Sequence, residues 1–402
     1  MIVRRLVCCG AVTATLLVGG GSALAQTLHD FVEAAALRDP ELAALEGRGN
    51  VIAARKLAAG SWTPGAPTFN AGYATDQAFK DRRQRDATIG ISTPLWLPGE
   101  GTASKRVADT EMARMAAQIA VAKLKLAGQV RDLLADFAIA KAELTVAEQR
   151  LRDGRALEGD TARRVQARDV AEVSLLLAKA ERIAADGEVR DRRVAFEHAR
   201  IDFIGLTGLA PTVAALEDKT PVASGQPGHP RIDDASGALE VARANQALAA
   251  IQTRDSPEIG LIARRGRDTL GTVYNNSLGV EIKIPFATDG RNAPRQAAAQ
   301  AEMRDATALR MSAEREVAGE REKARLAYDN ALVQRDLASE RSRTLTRQVA
   351  LMGQGQKAGE VSFADFIRAR TLGYEAAAAK ARADINVSKA RGRLNQAWGI
   401  IP

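Results

Sequence analysis

Ser277-Leu278-Gly279-Val280-Glu281-Ile282-Lys283-Ile284-Pro285-Phe286 alternates: Leu278, Val280, Ile282, Ile284 and Phe286 are apolar, while Ser277, Gly279, Glu281 and Lys283 are small or charged. A period of two is a strand with one apolar face, and about ten residues is the length a tilted strand needs to cross a bilayer. Ala87, Ile89, Ile91, Thr93, Leu95 and Leu97 repeat the pattern against Thr88, Gly90, Ser92 and Pro94. Weaker alternation precedes each segment, through Phe69, Ala71 and Tyr73 in the first case and Ile259, Leu261 and Ala263 in the second. Soluble sandwiches alternate too, so the period alone leaves both readings open. Glu281 and Lys283 on the polar face favour strands that line a water-filled lumen.

The two strand regions belong to a longer self-similarity, which is sought before elements are assigned. Asp39-Pro40 recurs as His229-Pro230, Pro67 as Pro257, Gly90-Ile91 as Gly279-Val280, and Gly101 as Gly290. Further on, Ala127-Gly128 recurs as Ala318-Gly319, Ala167 to Val170 as Ala358 to Val361, and Gly208 to Pro211 as Gly399 to Pro402. The order is kept and the offset drifts by only a residue or two, as in a tandem duplication. The expected organisation is a first repeat over 26–211, a linker over 212–230 rich in Pro, Gly and Ser toward its end, and a second repeat over 231–402.

Each repeat reads as helix, strand pair, long helix and return helix. The first helices are expected over Pro40 to Leu57 and Ala235 to Thr253. Thr102 to Gln166 contains no proline, and its 65 residues span about 100 Å as a helix. Met112, Ala116, Ile119, Lys123, Leu126, Val130, Leu133, Phe137, Ala140, Leu144, Ala147 and Leu151 follow 4-3 spacing, a seam that calls for neighbouring helices. The second long helix, Arg291 to about Lys357, has a smaller seam through Val317, Ala324, Ala331, Ala338, Leu345 and Met352. The return helices, Glu172 to Leu206 and Phe363 to Trp398, are about half as long. One of them stacked end to end on a first helix nearly matches a long helix.

At the N-terminus, Arg4 and Arg5 precede an apolar stretch, and Ala23-Leu24-Ala25 forms a small-residue cleavage site, the pattern of a secretory signal peptide over 1–25. Both cysteines, Cys8 and Cys9, lie inside it, so neither a disulfide scaffold nor a zinc-thiolate site is expected in the mature chain. Formal charge is +8, and losing Arg4 and Arg5 lowers it by two, to +6. The basic and acidic residues alternate along helices, which reads as solvated faces and argues against a nucleic-acid partner. His29, His198 and His229 are scattered, without metal-ligand spacing, and no glycine-rich phosphate loop follows a strand. No catalytic residue, metal site or cofactor is expected, and each His reads as a surface or cap residue.

Four strands cannot close a barrel, and unpaired strand edges in lipid cost several kcal/mol per group. The chain must therefore oligomerise through its strands. The whole expected arrangement resembles the TolC-like outer-membrane efflux protein family. The resemblance rests on the strand-to-helix junctions Pro94-Leu95-Trp96-Leu97-Pro98-Gly99-Glu100-Gly101 and Ile284-Pro285-Phe286-Ala287-Thr288-Asp289-Gly290, on the Ala-Gly-Glu-Val tip, and on the Asp-Pro and His-Pro helix starts. Leu95-Trp96-Leu97-Pro98-Gly99 points to the heavy-metal-efflux branch. The fold implied is mainly α with a membrane β-barrel portion. Each chain gives two tandem helical hairpins and four transmembrane strands, and a homotrimer closes a 12-stranded barrel and a 12-helix periplasmic tunnel.

The resemblance also implies partners and sites. The partners are a periplasmic adaptor protein, an inner-membrane efflux pump and outer-membrane lipid, in a tripartite efflux or type I secretion system of a Gram-negative envelope. Gly359, Val361 and Ser362 fall on the adaptor-contacting tip of the second repeat, and Arg168, Val170 and Ala171 on that of the first, where Arg168 replaces the glycine. A plain helix–helix turn is the alternative. Asp365 falls where an inward acidic gate residue would stand, and Arg368 one turn on offers a pairing partner instead of a bare anionic ring. Trp96, Phe286 and Tyr73 suit a membrane-interface aromatic belt, as does Trp62, for which core packing is an equal alternative. Lys80, Arg82, Arg83, Arg85, Arg264, Arg265 and Arg267 are expected in strand turns, facing lipid phosphates or simply solvent. Two other functions are open: a periplasmic adaptor, which normally carries one hairpin, and a coiled-coil structural protein of the envelope, in which the strands would have no task.

Overall fold

The computed structural model describes residues 27–78, 83–216, 228–286 and 289–402. The expected signal segment, most of the linker, and Lys80, Arg82, Ala287 and Thr288 lie outside the described residues. In order, the elements are α1 (Leu28–Ala36), α2 (Pro40–Ala59), β1 (Thr68–Thr75), β2 (Arg85–Pro94), α3 (Glu100–Gln166), α4 (Glu172–Thr207), α5 (Pro230–Ile251), β3 (Glu258–Arg267), β4 (Asn275–Lys283), α6 (Asp289–Ala358) and α7 (Phe363–Ala397). A short 3-10 turn, Val213–Leu216, follows α4.

The helix starts follow from local chemistry. The Asp39 carboxylate accepts the N–H of Leu42 while Pro40 fills the first helical position, where its missing N–H costs nothing. His229 does the same through its ring nitrogen, accepting the N–H of Arg231 with Pro230 next in line. This cap starts α5 five residues before the expected Ala235 and ends the linker before Pro230. The passage from β2 into α3 runs through Gly99 at φ 84°, a left-handed conformation that glycine adopts without a Cβ penalty. Pro285 has no N–H to offer the ladder, and β4 ends at Lys283. Leu95 and Leu97, like Ile284 and Phe286, therefore lie beyond the strands to which alternation had assigned them. Leu97 turns inward and is buried.

All four strands form one antiparallel sheet in the order β1-β2-β3-β4. The β2–β3 pairing joins the two halves of the chain, with Ile91 opposite Leu261 and Arg85 opposite Arg267. Arg264, Arg265 and Arg267 lie inside β3 and Arg85 opens β2, so of the expected turn arginines only Arg83 is a described turn residue.

α3 has 67 residues and α6 has 70, each about 100 Å long. α3 is covered along its first half by α2, with ion pairs Lys56–Asp109 and Lys125–Glu41. Along its second half it is covered by α4, with Arg150–Glu181 and Arg182–Glu158. The expected end-to-end stacking is thus the observed packing. α1 wedges into the junction, where Phe31 meets Phe203 edge-on at 5.0 Å. The main core gathers there: Phe31, Val32, Leu126, Ala127, Val130, Leu134 and Phe203.

Candidate functional site

The sheet has two unlike faces. Cross-strand partners place Phe69, Ile91, Leu261 and Val280 in one row, and Ala71, Ile89, Ala263 and Leu278 in the next. This apolar face is uncovered, with Val280 65% and Leu278 79% exposed. The other face carries Thr68, Asn70, Ser92, Glu258, Glu281 and Lys283 by the same alternation. There Thr68 Oγ1 and Ser92 Oγ share a hydrogen bond of 2.8 Å, and Lys283 lies 3.7 Å from Glu258. A broad exposed apolar patch marks a surface meant to be covered. Tyr73 shares the apolar face and Phe286 is exposed just past β4. Trp62 is 99% exposed, which removes the core-packing alternative. Trp96 is half-buried and donates its Nε1–H to the Ser61 carbonyl at 3.0 Å, fastening the strand-to-helix junction.

At the opposite end the helical hairpins turn. Arg168 has φ 61° and Gly359 φ 81°, so the two turns share one backbone conformation with different residues. Val170, Ala171, Val361 and Ser362 follow directly. Ser362 caps α7, its Oγ accepting the Asp365 N–H at 3.1 Å and donating to Asp365 Oδ2 at 2.7 Å. Arg368 reaches Asp365 Oδ1 at 3.1 Å. Both oxygens of Asp365 are thus engaged within its own helix, the paired alternative rather than a bare carboxylate.

Sequence reading missed the seam between α3 and α7, which joins the two hairpins. Tyr374 donates to Asp153 Oδ2 at 2.5 Å and accepts from Arg370 at 3.0 Å. Burial first, then the bond to Asp153, raises the Tyr374 pKa, so the hydroxyl stays a donor. Glu143, its side chain 11% exposed, is gripped by Arg192 of α4 at 2.6 Å and by Arg382 of α7. Lys389 reaches Asp136 at 2.7 Å and Arg393 reaches Asp132 at 3.2 Å. Partners more than 200 residues apart leave no local pattern. The one available signal is that Asp153 and Tyr374 sit at similar distances from the two tips. Nearby, burial works against the Arg150 charge, but Glu181 and Glu188 outweigh it and raise its pKa.

No group of three or more potential metal ligands occurs among the described residues, and no described helix is long and apolar enough to cross a membrane.

Residues 230–400 match the family profile described as "Outer membrane efflux protein". No curated protein matches the chain significantly in sequence. Among solved structures, the outer membrane protein VceC of Vibrio cholerae superposes with a TM-score of 0.70 at 16% identity, covering 92% of this chain and 96% of that one. The open-state MtrE outer membrane channel of Neisseria gonorrhoeae gives 0.72 at 18%, covering 92% and 88%. CusC, described for its transmembrane channel formation, gives 0.75 at 14%, covering 92% of each. At these identities the likeness speaks for the fold. Residues 230–400 thus carry the sequence profile of the outer membrane efflux proteins, and the chain has the fold of the TolC-like outer-membrane channels.

Proposed function

We propose that this chain is one subunit of a trimeric outer-membrane duct that conducts substrates from the periplasm to the exterior, working with an inner-membrane pump and a periplasmic adaptor. One observation carries the reading. A four-stranded sheet with an uncovered apolar face and two outer edges, β1 and β4, continues directly into helical rods about 100 Å long. In lipid the apolar face is stable, while edges left open cost several kcal/mol per group. A wall closed by further copies resolves both facts, with Glu281 and Lys283 turned to the lumen.

In this reading residues 1–25 are an export signal, 26–211 and 230–402 are the two repeats, and 212–229 connects them. The duct is not a catalyst, since a pump supplies the energy. The tips at Arg168, Val170 and Ala171 and at Gly359, Val361 and Ser362 meet the adaptor, and Asp365 with Arg368 lines the narrow end. The periplasmic-adaptor alternative fits less well, because two tandem hairpins share a single sheet here. A coiled-coil envelope protein would leave that apolar sheet without a role.

Planar-bilayer recording of the purified mature protein tests the proposal. Discrete ion-conducting steps are expected, and a protein that stays in water as a monomer without conductance would refute it. Cysteines placed at Ser362 and Ala171 are expected to crosslink to an adaptor in cells.

A further inference from the structure

We propose that the outer rim of the apolar sheet face binds phosphorylated lipid headgroups of the outer leaflet, through Arg85, Arg265 and Arg267 beside Tyr274. The inference rests on the membrane-duct reading and names one ligand of that wall.

Strand alternation puts Arg85, Arg265 and Arg267 on the same face as Ile89, Ile91 and Leu261. They stand at the strand ends farthest from the helices, next to the apolar rows. Arg85 lies directly opposite Arg267, and Arg265 lies two residues along the same strand. Like charges directly opposite one another destabilise a sheet, so an arrangement of this kind calls for an anion. Among the described residues no carboxylate forms an ion pair with any of the three. The contrast with Arg264, one residue away on the polar face and paired with Asp86, is internal to the same strand.

The guanidinium groups are also positioned. Arg265 and Arg267 both lie over the Tyr274 ring, at 4.8 Å and 5.2 Å. Arg267 Nε donates to the Arg83 carbonyl at 3.3 Å, so its two terminal nitrogens are not used in that bond. Planar guanidinium donors fit phosphate oxygens two at a time, and tyrosine beside them suits the level where acyl chains give way to headgroups. An apolar band bordered by a level of tyrosine and arginine matches the passage from acyl chain to phosphorylated headgroup.

The test uses the wild-type protein in detergent, titrated with bisphosphorylated lipid A, with its dephosphorylated form and with inorganic phosphate, and read by native mass spectrometry. With about fivefold per arginine, the phosphorylated lipid should bind roughly a hundredfold tighter than the dephosphorylated one. Arg265→Gln should weaken it about fivefold, while Arg264→Gln should leave it unchanged. Equal affinity for both forms of the lipid would overturn the site without relying on any variant. Inorganic phosphate that displaces the lipid at equal concentration would overturn the lipid assignment. Bilayer insertion is scored in parallel: insertion without phosphate preference sinks this inference alone, whereas no insertion sinks the duct reading with it.

Discussion

Arg168 and Gly359 hold the same left-handed backbone at the two hairpin tips, yet only glycine adopts it without crowding its own carbonyl. Arg168→Gly should therefore stabilise the protein by about 1 kcal/mol, read as a higher thermal midpoint; a lower one would show that the Arg168 side chain contributes contacts that outweigh the strain. His229 gives a pH dependence. It is 2% exposed, and burial first, then Arg321 and Arg231, hold its pKa below the usual 6.5. The folded chain keeps it neutral while the unfolded chain protonates it near 6.5, so the unfolded state binds more protons below that value. Stability is intact above pH 6.5 and falls as pH drops through it. His229→Asn keeps a capping acceptor for the Arg231 N–H and should flatten that slope in denaturant titrations; an unchanged slope would place the titration elsewhere. Arg368 supplies a third case. Arg368→Ala frees one Asp365 oxygen, and the reversal potential in a salt gradient should move toward cation preference. The sequence marked each of these positions, since turns and caps are local and Asp-Pro, His-Pro and Gly-Glu-Val are legible as they stand. It left Asp365 open between ring and pair, because the choice depends on side-chain geometry; within one chain Ser362 and Arg368 both bond its carboxylate.

Between elements, the long helices were the easiest to read and their pairing the hardest. The α3 seam is visible because Leu126, Val130, Phe137, Ala147 and Leu151 are buried at 4-3 spacing. The α3–α7 contact is carried instead by polar residues that look like a solvated face: Asp132, Asp136, Glu143 and Asp153. β1 was weakly marked for the opposite reason, since Ala71, Gly72 and Ala74 give it little apolar contrast. The polar seam ties the two hairpins together along the half of α3 nearer the tips. Tyr374→Phe removes the bond to Asp153, worth about 1 kcal/mol, and should shift the tip roughly fivefold toward wider states. Bilayer recordings should show higher conductance or longer open times; an unaltered trace would mean that the seam does not limit the passage.

Across the whole molecule, the sheet and the rods are incomplete on the same two sides. α3 and α7 meet in the middle and β2 pairs with β3 there, which leaves β1 with α4 outermost on one flank and β4 with α6 on the other. Both outer rods carry exposed apolar residues at helical spacing: Val173, Leu176, Ile183, Val194 and Ile201 on α4, and Leu326, Val333, Leu337 and Leu351 on α6. A second copy that seats its β4 on β1 brings its α6 against α4, covering strand edge and helical stripe in one docking. Electron cryo-microscopy of the detergent-purified mature protein tests this most directly. The predicted map is a threefold tube in which β1 of every chain is hydrogen-bonded to β4 of the next; a lone chain with bare outer strands, or one whose β1 folds back onto its own β4, would contradict it.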